Sequence, residues 1–240
     1  MRDRPSPGGP TASSTWCGPR HGRARPCYAT SRDLLHWSEQ RTIGPFADAT
    51  GVANCWAPEL FYDAASQEWW IGWASTIQGK SPQTMGTGNR ENNHRQYAVR
   101  TGDFRTFTPA ELFYDPGFLV IDAALFRSGN QYAMVVKNET DKPPAKYLFL
   151  TFAPSLHGPW SKPGPSISGE DWAEGATPIR IGDSWQVYFD KYRNERYGAV
   201  RSKDVQRWED ISHRVQFPAG IRHGTAFHAP REIAARVPGF

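Results

Sequence analysis

Acidic residues and one histidine recur along this chain about one structural repeat apart, each near the start of a short apolar run. They are Asp3, Glu59 in Trp56-Ala57-Pro58-Glu59, Asp122 in Val120-Ile121-Asp122, Glu174 in Ala173-Glu174-Gly175, and His223 in Arg222-His223-Gly224. Successive spacings are 56, 63, 52 and 49 residues. Carboxyl groups gathered from separate repeats can divide general-acid and general-base work, because their environments tune each one's proton affinity separately. Five strand-initiating stretches near the ~40–50-residue period of propeller blades predict an all-β, five-bladed β-propeller that brings one polar group per blade to a shared mouth.

A second motif repeats out of phase with the first. Ser31-Arg32-Asp33-Leu34-Leu35-His36-Trp37, Thr101-Gly102-Asp103-Phe104-Arg105-Thr106-Phe107 and Ser202-Lys203-Asp204-Val205-Gln206-Arg207-Trp208 share the form Ser/Thr-x-Asp-apolar-x-x-aromatic, and Ala153 to Trp160 is a looser copy. The hydroxyl and the Asp favour a turn and the aromatic fills the gap between sheets, so each copy marks the outer edge of a blade. Between the two motifs lie hairpins, such as Leu60 to Ala74 around Asp63 to Gln67 and Ile179 to Phe189 around Gly182-Asp183. No long helical periodicity is present, which argues against an α/β barrel.

The chain has 240 residues, enough for one large all-β domain. Its net charge of +4 is concentrated in Arg2, Arg4, Arg20, Arg23 and Arg25, so the remainder gives no nucleic-acid footprint. No apolar run reaches the ~18 residues of a membrane span, and the start lacks a signal-peptide core; a soluble protein is expected, its compartment open. Cys17, Cys27 and Cys55 lack metal-ligand spacing and read as free thiols.

Residues 1–27 form a region apart, expected to be irregular, with the propeller domain over 28–240. Pro, Gly, Ser and Arg dominate residues 4–27 and no strand pattern is visible. One explanation is a disordered tail. The other is a stretch translated out of frame, since a one-base shift permits a strand, a Pro-Asp-Gly turn and an alternating strand, leaving the first blade incomplete. Resequencing the gene between Asp3 and Tyr28 decides between them.

The ordered set Tyr28 to Leu34, Trp56 to Asp63, Val120 to Asp122, Glu174-Gly175 and Arg222 to Thr225 resembles glycoside hydrolase family 43, the five-bladed propeller glycosidases that act mostly on arabinose- and xylose-containing polysaccharides. The resemblance implies inverting hydrolysis by three carboxyl groups: Asp3 as general base, Asp122 as the acid that tunes and orients, and Glu174 as general acid. Inversion needs acid and base ~6.5–9.5 Å apart to admit water. Glu174 must hold a proton near neutral pH, which partial burial and the nearby Asp122 would favour. Arg4 stands where the family has proline, and a frayed terminal position is the other reading of Asp3.

Trp56 and Glu59 read as sugar contacts or, equally, as core packing and a ladder edge. Asp122, between apolar Ile121 and Ala123, either caps a turn or faces the channel, with the channel favoured. His94, Lys137 and Asp190 read as mouth residues or as intra-blade pairs. The polar loop from Gln78 to Arg95 covers the mouth or is a solvated insertion. His223 resembles the histidine that in some family members faces a calcium or sodium ion in the central channel; since hard cations prefer oxygen, no metal ligand is assigned and no cofactor is required. The expected partner is a carbohydrate, with nucleic acid and membrane excluded. The rival readings are a non-catalytic carbohydrate-binding propeller that has lost its base and a protein-interaction propeller with an exposed apolar rim.

Overall fold

The computed structural model describes residues 11–15, 26–43, 51–218 and 220–237. They build four antiparallel sheets. The first contains β1 (Thr11–Thr15), β2 (Cys27–Ser31) and β3 (Arg41–Thr42). The second contains β4 (Trp56–Asp63), β5 (Glu68–Ser75), β6 (Arg95–Thr101) and β7 (Glu111–Tyr114). The third contains β8 (Val120–Ser128), β9 (Gln131–Asn138) and β10 (Leu148–Ala153). The fourth contains β11 (Glu174–Ile181), β12 (Ser184–Lys191), β13 (Arg196–Ser202) and β14 (Glu209–Asp210). The leading strands β1, β4, β8 and β11 contact one another in that order, as the inner strands of propeller blades do.

Two expectations need correction. The described part of the segment read as irregular contains β1, which pairs with β2 from Thr11↔Ser31 to Thr15↔Cys27, so a sheet crosses the boundary drawn at residue 27. The rest of that segment, Asp3 included, lies outside the described residues. The fifth recurrence, Arg222-His223-Gly224, begins no strand among the described residues; it belongs to an extended strap ahead of a single helical turn, α1 (Arg231–Ala234).

The outer motif does what its chemistry dictates. In the turn after β6, Thr101 Oγ1 accepts the Phe104 N–H at 2.9 Å, and Asp103 Oδ1 accepts those of Arg105 and Thr106, each at 2.8 Å. Ser31 and Asp33 after β2 bond in the same way; after β13 Asp204 Oδ1 likewise accepts the N–H groups of Gln206 and Arg207, while Ser202 Oγ accepts that of Asp204 at 3.3 Å. Each turn passes through the left-handed region at its apolar residue, with φ of 64° at Leu34, 55° at Phe104 and 54° at Val205. Side-chain acceptors hold a conformation that costs an ordinary L-residue roughly 1–2 kcal/mol.

Aromatic side chains join neighbouring blades. Tyr28 packs on Phe104 and donates its hydroxyl to that residue's carbonyl. Tyr132 donates to Asp63 at 2.8 Å, and Phe126 meets Trp185 with ring centroids 4.4 Å apart. Phe107, Trp160 and Trp208 pack against the inter-blade clusters as the motif predicts, whereas Trp37 is exposed. The loop from Gln78 to Arg95 clasps blades two and three: the Thr87 carbonyl accepts the N–H groups of Asp141 and Lys142. None of its residues lines the central cavity.

Candidate active site

The inner strands of blades two, three and four each carry a bulge at their head, where the pairing shifts between Trp56 and Glu59, Ile121 and Ala124, and Glu174 and Thr177. Each bulge contains one residue at positive φ: Ala57 at 48°, Asp122 at 54° and Gly175 at 60°. A bulge bends the strand and re-aims its side chains, here towards the axis. Aligning the bulges also corrects the recurrence read from sequence. Asp122 is equivalent to Ala57 and Gly175, Glu174 to Trp56 and Ile121, and Glu59 to Ala124 and Thr177. The three acids thus reach the mouth from three different positions in the repeat.

At the mouth lies a cavity of about 580 Å³, within the ~300–1,000 Å³ common for small-molecule sites. Trp56, Glu59, Asp122 and His223 line it, as do Gly175 and Thr225. Asp122 is buried, and its Oδ2 accepts the Gly175 N–H at 2.8 Å. Burial raises its proton affinity, partly offset by the charge of Lys137 and by His223. Glu174 is held on both sides: His223 Nε2 lies 3.0 Å from Oε1, and Lys137 Nζ lies 2.9 Å from Oε2. Burial alone would raise this carboxyl, but the His223 hydrogen bond and the Lys137 charge outweigh it and hold Glu174 down to about 2. These partners favour the ionised form of Glu174, contrary to the expectation of a protonated residue. Glu59 is the opposite case, pushed up to about 7 by burial against the weaker lowering effect of its Thr225 contact.

Lys137 lies under this floor, 4% exposed, and shares its charge with Glu139 Oε2 at 2.7 Å. Lys146 Nζ in turn reaches Glu139 Oε1 at 2.9 Å. The carboxylates surrounding Lys137 outweigh its burial and keep it charged. His94 is wholly buried behind the Trp56 indole, ring centroids 4.8 Å apart, and supports that wall without lining the cavity. Asn54 Oδ1 accepts the Thr76 N–H at 2.7 Å, so its amide nitrogen donates to His94 Nε2 at 2.6 Å and leaves the ring proton on Nδ1. Burial depresses His94 to about 4, which keeps it neutral.

The strap from Arg222 to His228 closes the mouth. Arg222 Nε meets buried Asp190 at 2.6 Å, the Ala226 N–H donates to Thr177 Oγ1 at 2.8 Å, and His228 Nε2 lies 2.8 Å from the Arg180 carbonyl. Thr225 Oγ1 crosses to Glu59 of blade two at 3.3 Å. The roles of Arg222, Thr225 and Glu139 were not read from sequence; the first two lie in a quoted motif, while Glu139 carries no local signal.

One ligand atom from each of Asp122, Glu174 and His223 falls within 4.8 Å of the others. A calcium ion needs six to eight oxygens. Here the protein offers two carboxylates, one accepting the Gly175 N–H and the other paired with Lys137, and water would have to supply the remaining oxygens of such a cage. The Lys137 ammonium already places a positive charge beside this cluster.

A family model described as a probable glycosyl hydrolase domain, related to glycosyl hydrolase family 43, matches residues 16–232. An α-L-arabinofuranosidase of Bifidobacterium longum subsp. longum is 26% identical over 125 residues, covering 49% of this chain and 12% of that protein. The solved α-L-arabinofuranosidase from Lactobacillus brevis superposes with a TM-score of 0.59 at 17% identity, over 79% of this chain and 65% of that one. An exo-β-1,3-galactanase from Phanerochaete chrysosporium gives 0.54 at 11% identity, over 79% and 43%. The chain therefore spans less than two thirds of the length of each of these relatives. The likeness to the solved structures shows a shared fold, the five-bladed β-propeller.

Proposed function

The chain belongs to the glycosyl hydrolase 43-related family, and from that premise we propose that it is an exo-acting glycosidase that removes a terminal arabinose or xylose by direct attack of water. The terminal sugar sits in the cavity against Trp56, with Glu59 and Thr225 at its hydroxyls. One observation carries the reading: Glu174, next to Gly175 of the cavity wall and close to Asp122, is clasped between a histidine that lines the cavity and a buried lysine.

Glu174 acts as the general acid, and His223 supplies its proton. The Glu174 carboxylate raises the proton affinity of His223, and in its protonated form the imidazole pairs with that carboxylate across 3.0 Å. A sugar that fills the cavity displaces water, and lower polarity favours the neutral pair over the ion pair. The proton then crosses to Glu174 Oε1 and on to the leaving oxygen. Asp122 lies too close to Glu174 to be its base in inversion, one oxygen of each within 4.8 Å, since inverting pairs stand ~6.5–9.5 Å apart to hold the water beside the sugar. It orients the acid through Gly175, and the base of inversion is Asp3 by the family pattern. No organic cofactor takes part.

The test is hydrolysis of aryl α-L-arabinofuranosides and β-xylosides by the wild type and by Glu174→Gln, with the product anomer followed by NMR. Hydrolysis that inverts the anomeric centre and is lost on substitution is expected. Turnover that survives Glu174→Gln overturns the acid assignment, and a retained anomer overturns direct water attack.

A further inference from the structure

The inner end of blade four carries a second feature that the hydrolytic site does not use. Glu174 pairs with Asp190 at the head of β11 and β12. Continuing that register two residues towards the mouth sets Trp172 opposite Tyr192, and their ring centroids lie 6.1 Å apart. The Arg193 guanidinium stacks over the Trp172 ring at 3.6 Å. Trp172 and Tyr192 are half-buried and Arg193 is exposed.

The group is fixed in place. Asp171, next to Trp172, accepts from Asn194 at 2.9 Å and pairs with Lys191 at 3.0 Å, pinning both ends of the turn that presents Tyr192 and Arg193. Lys137 ties it to the site from below: its Nζ is 2.9 Å from Glu174 and 4.8 Å from the Tyr192 ring centre. Trp172 and Tyr192 do not line the 580 Å³ cavity. They belong to the same blade as Glu174, Trp172 two residues before it and Tyr192 two residues after its partner Asp190.

We infer that Trp172, Tyr192 and Arg193 form a platform for the sugar on the leaving-group side of the scissile bond. The inference rests on the proposed role of Glu174: an acid that protonates the bridging oxygen has the terminal sugar on one side and the rest of the chain on the other. Trp56, Glu59 and Asp122 belong to the first side. Arg193 covers one face of Trp172, so the ring face away from it is the apolar surface for a sugar's C–H face, and the edge of the guanidinium offers donors to the sugar's hydroxyls. The ligand is a neutral oligosaccharide of at least two residues, recognised through the ring next to the terminal one.

Binding to the Glu174→Gln protein tests this without turnover. Arabinobiose, xylobiose and β-1,3-galactobiose are titrated calorimetrically against their methyl monoglycosides, and the best-bound pair is repeated after adding Trp172→Ala or, separately, the exposed Arg193→Ala. The disaccharide should bind more tightly than its monoglycoside. Trp172→Ala should weaken the disaccharide about tenfold or more and Arg193→Ala should weaken it less, with the monoglycoside unchanged in both. Disaccharides that bind no better than the monoglycosides, or a preference that survives both substitutions, overturn the platform. Hydrolysis that persists in Glu174→Gln overturns the acid assignment instead, so the two failures are distinguishable.

Discussion

Replacing Lys137 with methionine isolates the charge that keeps Glu174 ionised. The side chains are similar in length, and each carboxylate that loses the ammonium keeps another partner: Glu139 retains Lys146 at 2.9 Å, Glu174 retains His223 at 3.0 Å, and Asp122 retains the Gly175 N–H at 2.8 Å. An opposite charge this close to a carboxylate is worth about 10- to 1,000-fold in proton affinity, or about 1.4–4 kcal/mol. Glu174 starts from about 2, so the substitution raises its affinity and enlarges its protonated fraction at pH 7 by that factor. The alkaline limb of the kcat/KM profile, measured on an aryl glycoside with a poor leaving group, should move to higher pH. A substrate whose leaving group needs no protonation should respond much less. Stability carries the same sign. A carboxyl whose folded value lies below its unfolded one stabilises the fold above pH ~4.5 and loses that contribution as pH falls towards 2. Urea denaturation should therefore show Lys137→Met less stable than wild type at pH 7, with the gap narrowing at pH 3. An alkaline limb that stays in place or moves down would refute the reasoning.

Further outcomes follow from the same geometry. Glu59, pushed up to about 7 by burial, should contribute an ionisation near neutrality that vanishes from the kcat/KM profile in Glu59→Gln; carboxyl NMR that finds Glu59 titrating near 4.5 would contradict this. An alanine Cβ at Gly175 would lie 2.9 Å from His223 Cγ and Cδ2 at a φ of 60°. Gly175→Ala should displace His223 from Glu174 and lower kcat about 100-fold while the protein still folds, as checked by kinetics beside circular dichroism. Thr101→Val removes the buried hydroxyl that accepts the Phe104 N–H; urea unfolding should report a loss of about 1–3 kcal/mol, with sugar binding unchanged.

The repeat was legible in the sequence because its signals are local. In Ser/Thr-x-Asp-apolar the acceptors and the N–H groups they satisfy lie within three residues of each other, so the pattern alone specifies the turn and hence the blade edges at Ser31, Thr101 and Ser202. No chain ladder explains β1, whose Thr-Ala-Ser-Ser-Thr has little strand character; its pairing with β2 is a tertiary outcome. The heads of the inner strands were also legible, since Trp56, Asp122 and Glu174 each open an apolar run. Their phase was not. A bulge is an irregularity of pairing between two strands, and only the pairing reveals that Asp122 occupies the positive-φ position while Glu174 precedes it and Glu59 follows it.

The protonation states depended wholly on the tertiary structure. Glu174 and Glu59 look alike in sequence, each an acid at the head of a strand, yet one is ionised and the other holds its proton near pH 7. The difference comes from partners 37 and 49 residues away that hold Glu174 down, and from burial that raises Glu59 against the weaker pull of a threonine 166 residues away. Residue types and spacing determined that acids would meet at a propeller mouth. Burial and ion pairing, which act through space rather than along the chain, decided what each acid does there.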